Sequence, residues 1–249
     1  MHNHTDYSNL RLRDCIIKIP DLLNYAEELG HSVVAITDHE SMSGWMKIEQ
    51  EAKSHPDLKI IRGNEIYLCR NGLNGQNFIS GQDKYYHFIL LAKDLIGAHQ
   101  IMEISTRAWK RSYMGRGMRR VPTYYQDLID IIQTNPGHVI GSSACLGGAL
   151  PTQLLKVKEF LKEDKEKAEK LQNKIYLWIQ QMINIFGRNN FYFELQPSET
   201  PEQTYINRKL VDLSNELNIP YIITCDSHYL KKEDAPIHKA FLNSQNGDR

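Results

Sequence analysis

The chain begins Met1-His2-Asn3-His4, and alternate residues on an extended segment face the same side, so one short strand can present two imidazoles to a single ion. On its own an HxH triplet is as readily a surface feature, and other segments supply its context. The apolar run Val33-Val34-Ala35-Ile36-Thr37 leads directly into Asp38-His39, and Tyr221-Ile222-Ile223-Thr224-Cys225 leads into Asp226 and then His228. Both runs read as buried strands. Each therefore delivers an acid and a histidine where a strand emerges into a loop, which in barrel enzymes is the catalytic face. Glu65 lies inside Ile60-Ile61-Arg62-Gly63-Asn64-Glu65-Ile66-Tyr67, where an unpaired carboxylate is costly unless it meets a cation or a hydrogen-bond donor. His87 opens the run Phe88 to Leu91, and Cys145 follows the strand Val139 to Ser142 in Ser142-Ser143-Ala144-Cys145-Leu146-Gly147-Gly148. Singly, His87 reads as a core histidine, Cys145 as a small buried residue and Glu65 as half of an ion pair. Their common position at strand ends points instead to metal. Imidazoles, carboxylates and one thiolate suit Zn²⁺, and a set dominated by N and O donors also admits Mn²⁺ or Fe²⁺. Adjacent divalent ions bridged by Glu65 would lower the pKa of a shared water and clamp phosphoester oxygens, which is hydrolytic phosphate chemistry.

The elements that must position these residues alternate. Strands are expected at Val33 to Thr37, Lys59 to Leu68, Tyr86 to Ala92, Val139 to Ser142, Phe191 to Leu195 and Tyr221 to Cys225. Helical patterns run from Pro20 to Leu29, closed by Gly30, from Trp45 to Ser54, Leu95 to Trp109, Gln153 to Phe186, closed by Gly187, and Glu202 to Leu217. Such alternation argues for a parallel sheet or barrel. Asn71 to Lys84 reads as a polar hairpin or loop, the tail after Asp234 as one more helix, and the mixed charges of Lys156 to Lys174 as a solvated helix face. No repeat or Pro/Ser-rich linker is present, so residues 1–249 read as a single domain, with 234–249 beginning an exit segment.

Thirty Lys and Arg balance thirty Asp and Glu, which excludes a whole-molecule positive field as the means of reaching nucleic acid. A local patch remains. Arg107 to Arg120 holds Arg111, Arg116, Arg119 and Arg120 among Trp109, Tyr113 and two glycines, with no acid. It reads equally as a phosphate-gripping loop with aromatics for a frayed base and as a solvated surface loop. Four cysteines lie far apart with no CxxC, no apolar run approaches the ~18 residues of a membrane span, and the N-terminus lacks signal-peptide features. The reading is a cytoplasmic protein with no membrane contact.

His2-x-His4-Thr5-Asp6-Tyr7-Ser8, Ala35-Ile36-Thr37-Asp38-His39, Arg62-Gly63-Asn64-Glu65-Ile66-Tyr67, His87-Phe88-Ile89-Leu90-Leu91-Ala92, Cys145-Leu146-Gly147-Gly148, Phe191-Tyr192-Phe193-Glu194-Leu195-Gln196 and Asp226-Ser227-His228-Tyr229-Leu230 occur in one order across nearly the whole chain. The series resembles the PHP motifs of the bacterial and phage DNA polymerase III alpha subunit family. The resemblance implies an α/β fold, a distorted (β/α)7 barrel, with its first strand truncated because Met1 directly precedes His2. It implies two to three divalent ions on His2, His4, Asp14, His39, Glu65, His87, Cys145, Asp226 and His228, with Zn²⁺ ahead of Mn²⁺ or Fe²⁺. Asp38 and Glu194 would support the ligands, and His39, Asp226 and His228 would carry catalysis. The implied activity is 3′–5′ exonucleolytic phosphodiester hydrolysis within a replicative polymerase whose own active site lies outside this chain. Implied partners are DNA, single-stranded or at a 3′ end, the rest of the polymerase alpha subunit, following this chain on its C-terminal side, and a proofreading exonuclease subunit. Two alternatives stand beside it: a non-catalytic, metal-stabilised scaffold that docks a proofreading subunit, and a free-standing phosphatase of the histidinol phosphatase type.

Overall fold

A computed structural model describes residues 1–69, 84–115 and 118–246. The expected apolar runs form β1 (Val33–Ile36), β2 (Lys59–Cys69), β3 (Tyr85–Ala92), β7 (Val139–Ser142), β8 (Phe191–Leu195) and β9 (Tyr221–Ile223). Two short strands, β4 (Tyr113–Gly115) and β5 (Met118–Arg120), lie in the basic segment, where a loop was expected, and a third, β6 (Pro122–Tyr124), follows it. The helices are α1 (Ile19–Glu28), α2 (Trp45–Glu51), α3 (Leu95–Lys110), α4 (Tyr125–Leu128), α5 (Ala149–Glu163), α6 (Lys165–Phe186), α7 (Pro201–Leu217) and α8 (Ala235–Asn246). The stretch expected as one helix from Gln153 to Phe186 is two. Asp164 breaks it: its backbone is extended and its carboxylate accepts from Lys167 N, capping α6.

The main sheet runs β1-β2-β3-β7-β8-β9, with β6 paired to the far end of β2. It curls, and the N-terminal residues bridge its two edges. Thr37 N donates to Asn3 O at 2.8 Å, His4 N donates to Ser227 O at 3.0 Å, and Asn3 pairs in parallel with Ser227. The HxH triplet thus stands in the place of a first strand, reduced to a single bridge on that edge. The sheet is mixed, not parallel throughout: β3 runs antiparallel to both β2 and β7, while β1–β2, β7–β8 and β8–β9 are parallel. Side-chain alternation is the same in either direction, so an apolar run specifies a strand without specifying its sense. The hairpin or loop expected at residues 71–84 lies, up to residue 83, outside the described residues.

Alternation sorts the strand residues into two layers. Phe88 and Leu90 of β3, Ile66 and Leu68 of β2 and Phe193 of β8 face the helices. There Phe88 stacks on Phe186 at 5.5 Å and on Phe191 at 6.3 Å, with the Trp178 edge against Phe191 at 5.9 Å. Phe88, Phe186 and Phe191 are among the largest fully buried side chains of the described residues, each contributing about 1.5–3 kcal/mol. Ile89 and Leu91 point inward with Ala35 and Ala144. The inward layer is small in apolar content because polar residues occupy the rest of it.

Candidate metal centre

Inward-facing strand positions and strand exits converge on one end of the barrel. Glu65 is cross-strand from Ile89, His87 sits at the start of β3, and Glu194 lies near the end of β8, all on the inner side. His39 leaves β1 and bridges in parallel to Glu65. Asp226 and His228 follow β9, Cys145 follows β7, and Asp14 lies in the loop after a short 3₁₀ turn, Asp6–Leu10. Two glycines fit Cys145 to the site. A Cβ on Gly147 would press within 3.0 Å of the His87 ring, and one on Gly148 would meet Ser143 O at 2.1 Å. Among the described residues, three of the four non-glycine residues with positive φ, Glu40 (48°), Ala144 (57°) and Asp226 (53°), also border this end. Such backbone costs about 1–3 kcal/mol each and persists where surrounding structure demands it.

Glu65 is fully buried at the centre. Its Oε1 lies 2.7 Å from His87 Nδ1 and 3.7 Å from His2 Nε2; its Oε2 lies 3.4 Å from His4 Nε2 and contacts His39 Nδ1. Asp226 Oδ1 is 3.2 Å from His2 Nε2 and 3.1 Å from His4 Nε2. Asp14 Oδ2 is 2.9 Å from His39 Nε2 and 3.5 Å from His228 Nε2. Cys145 Sγ is 3.4 Å from His87 Nδ1. Three sets of donors lie close enough to share an ion: His2, His4 and Asp226; His4, His39 and His228; and Glu65, His87 and Cys145. These sets bring together eight of the nine ligands expected from the sequence, and Asp14 adjoins them through His39 and His228.

The family model of the PHP domain matches residues 1–198. The chain belongs to the PHP family. It is 38% identical to the DNA-directed DNA polymerase of Bacillus phage SPbeta, over all of this chain and 20% of that protein. It is 32% identical to the DNA polymerase III subunit alpha of Borreliella burgdorferi, over 94% of this chain and 18% of that protein. The chain spans about a fifth of the length of these curated relatives. The fold is shared with an amidohydrolase from Chromobacterium violaceum, at 12% identity and a TM-score of 0.50, over 96% of this chain and 95% of that one.

The donor chemistry of this PHP domain fits divalent cations. Both Glu65 oxygens and Asp226 Oδ1 are buried without a directed hydrogen bond although imidazole nitrogens surround them, and Asp14 Oδ1 is buried without a partner. Acceptors and ring nitrogens that face a common point without bonding one another leave the position a cation satisfies. The electrostatics are divided. Burial opposes a charge on His2, but Glu194, Asp226 and Glu65 outweigh it and raise its pKa to about 9. Burial and the neighbouring His39 instead drive His4 down to about 3. Burial also works against the charge on Asp14 and Asp226, yet the surrounding histidines hold both below the usual carboxylate range.

A supporting layer fixes the ligands. Glu194 accepts from His2 Nδ1 at 2.5 Å, from Ser142 Oγ at 2.6 Å and from Thr224 Oγ1 at 2.6 Å. A carboxylate only accepts, so the proton sits on His2 Nδ1 and Nε2 is left facing the cluster. Asp38, expected to support the ligands, makes no hydrogen bond to the His39 ring. Its oxygens take Thr5 N at 2.6 Å and Ser8 Oγ at 2.9 Å, and Ser8 Oγ lies 3.1 Å from His4 Nδ1 and accepts from His39 N. Asp38 therefore acts through Ser8, a member of the HTDYS motif to which sequence reasoning gave no role. Also missed were Tyr67, whose hydroxyl is 3.5 Å from His39 Nδ1, and the buried pair Arg11 and Glu40 behind it. Burial pushes Glu40 up to about 8 against the pull of Arg11. Two charged residues in unremarkable local sequence gave no signal of pairing.

The basic segment of the PHP domain is only partly available to nucleic acid. Arg111 is spent: it clamps Asp127 with bonds of 2.6 and 2.8 Å and lies over the Tyr124 ring. Arg111, expected as a nucleic-acid contact, thus has two of its donors engaged by a nearly buried acid. Arg120 lies over Tyr85, and Arg119 is exposed on the β4–β5 ribbon with one bond to Ser112 Oγ. Arg116 lies outside the described residues.

Proposed function

We propose that this PHP domain is a metal-dependent phosphodiesterase of the 3′–5′ exonuclease type, working on a DNA 3′ end within a larger cytoplasmic replicative polymerase. The observation that carries the reading is Glu65: a buried carboxylate shared among four imidazoles, with neither oxygen hydrogen-bonded. His2, His4 and Asp226 would hold one ion, Asp14, His39 and His228 with His4 a second, and Glu65, His87 and Cys145 a third. Zn²⁺ suits the thiolate, and Mn²⁺ or Fe²⁺ suits the remaining set. When bound, such ions supply Lewis-acid polarisation of a phosphoryl oxygen and a water of lowered pKa.

The chain's own residues bind, orient and expose. Glu194 fixes the His2 tautomer, and Asp38 with Ser8 fixes His4. Asp14, His87, Asp226 and His228 keep 15–26% of their side chains exposed while His2, His4, His39 and Glu65 are buried, so the phosphodiester approaches from the first group. His39, Asp226 and His228 are the catalytic candidates. The rest of an alpha subunit is the partner the named relatives suggest, and a proofreading subunit is a further partner of this reading.

Elemental analysis of the purified chain, joined to digestion of a labelled single strand with and without chelator, tests the reading. Stoichiometric metal and chelator-sensitive 3′ shortening, lost in Asp226→Ala, are expected. Stoichiometric metal with no cleavage would overturn catalysis and leave a metal-stabilised scaffold.

A further inference from the structure

A second concavity adjoins the metal centre. It is an open groove of about 820 Å³ between the 3₁₀ turn Asp6–Leu10, the start of α2 and the end of α3, lined chiefly by Leu10, Ser41, Met42, Ser43, Trp109 and Lys110. That volume is within the ~300–1,000 Å³ usual for small-ligand sites. One continuous wall joins it to the metal centre. Trp109 Nε1 donates to Glu40 O at 2.7 Å; the Glu40 carboxylate holds Arg11; the Arg11 guanidinium lies 4.9 Å over the Tyr67 ring; and Tyr67 touches His39 and His87.

Three features select the occupant. The Trp109 indole is pinned by its bond to Glu40 O, and it lines the groove together with Met42 and the exposed Leu10. Lys110 is exposed, pairs with no acid among the described residues, and is the one charge in a lining whose other polar side chains are hydroxyls and the Trp109 indole. The wall itself is built at a cost, since Glu40 combines a positive φ with complete burial of an acid. An aromatic face, a cation and hydroxyl groups together match a nucleotide, with its flat base, anionic phosphate and sugar. A peptide helix would need a longer apolar stripe.

We propose that this groove is a nucleotide subsite, in which Trp109 stacks an unpaired base of a single strand while the neighbouring phosphodiester lies at the metal centre. The inference deepens the phosphodiesterase reading and rests on it for the course of the strand. Binding can be read without turnover.

The test is fluorescence anisotropy of a labelled oligo(dT) with the 249-residue chain in chelator. Loss of one base stack weakens binding about 5- to 150-fold, and that is the change expected for Trp109→Leu. Leu10→Glu and Lys110→Glu alter exposed side chains that the fold does not need, and each is expected to weaken binding at least about tenfold by opposing the phosphate. Lys174→Glu, on α6 away from the groove, is expected to bind as wild type does. Wild-type affinity in all three groove variants, or equal competition by a blunt duplex, would overturn the subsite. Trp109-dependent binding by a chain that cleaves nothing when metal-loaded would support the groove while removing the catalytic reading.

Discussion

Glu65→Gln separates a metal-built centre from a cluster of ordinary ion pairs. The substitution keeps size and removes one charge at the point where His2, His4, His39 and His87 meet. If the wild-type chain holds metal at a hundredfold excess over Kd, each site adds about 2.7 kcal/mol of stability. For a chain of 249 residues, with roughly 2–4 °C of Tm per kcal/mol, chelation should then lower Tm by about 5–11 °C per site. Glu65→Gln is expected to abolish most of that chelator-dependent difference, because the lost carboxylate is the group shared between donor sets. It is also expected to melt below wild type even in chelator, by about 3–5 kcal/mol, since four imidazoles lose their buried partner. Differential scanning fluorimetry with and without chelator, alongside elemental analysis, measures both parts. A Glu65→Gln protein with wild-type metal content and an unchanged chelator shift would refute the assignment of Glu65 as the central ligand.

Four further outcomes follow from the same geometry. The chelated chain should be most stable near pH 6.5. His2, raised to about 9, contributes stability that is complete below its unfolded value of 6.5 and lost as pH climbs through 9, whereas His4, lowered to about 3, costs stability as pH falls from 6.5 towards 3. Saturating metal should move that maximum upward, because ligands must shed protons to bind; a Tm series against pH shows both effects, and a chelated curve rising from 6.5 to 9 would contradict them. Glu194→Gln should lower metal affinity about 10- to 100-fold while the chain stays folded, measured by competition with a metal indicator. Arg111→Ala should destabilise by about 1–3 kcal/mol through the stranded Asp127, with the salt slope of single-strand binding unchanged; a shallower slope would return Arg111 to the nucleic-acid surface. Gly97→Ala should fold poorly or not at all, because a Cβ there would sit 2.0 Å from His138 O; near-wild-type Tm would show that α3 is free to shift.

Much of the site was legible because its ligands sit where local pattern is loudest. A strand of β-branched residues ending in Asp38-His39 or followed by Asp226 announces itself, and Glu65 and His87 stand out as polar interruptions of apolar runs. Asp38 shows the limit. Its motif marks it as important, but which atom it holds depends on Ser8, thirty residues earlier and brought back by the curl of the sheet. Arg11 and Glu40 were illegible for the same reason, being a pair made by tertiary proximity between residues ordinary in their own neighbourhoods. Strand sense was also hidden, since β3 has the same alternation read either way. In the basic segment, composition showed charge but not commitment, and only the Asp127 contact shows that Arg111 is already occupied.

The placement of strain bears on what the centre is for. A scaffold held together by metal needs tight ligands, but it gains nothing from leaving Asp14, His87, Asp226 and His228 partly open to solvent, nor from adding a strained Glu40 to carry Trp109 and Arg11 at the rim. Strained backbone, and buried carboxylate oxygens that lack a directed hydrogen bond, both call for compensation by the binding of something else. Ions account for the carboxylates. They do not account for Glu40: its N–H ties it to the Glu65 carbonyl, while its own carbonyl and carboxylate are turned to Trp109 and Arg11. A centre buried on one side, open on the other, and continued by a cation and an aromatic ring favours the proposed phosphodiesterase over the scaffold.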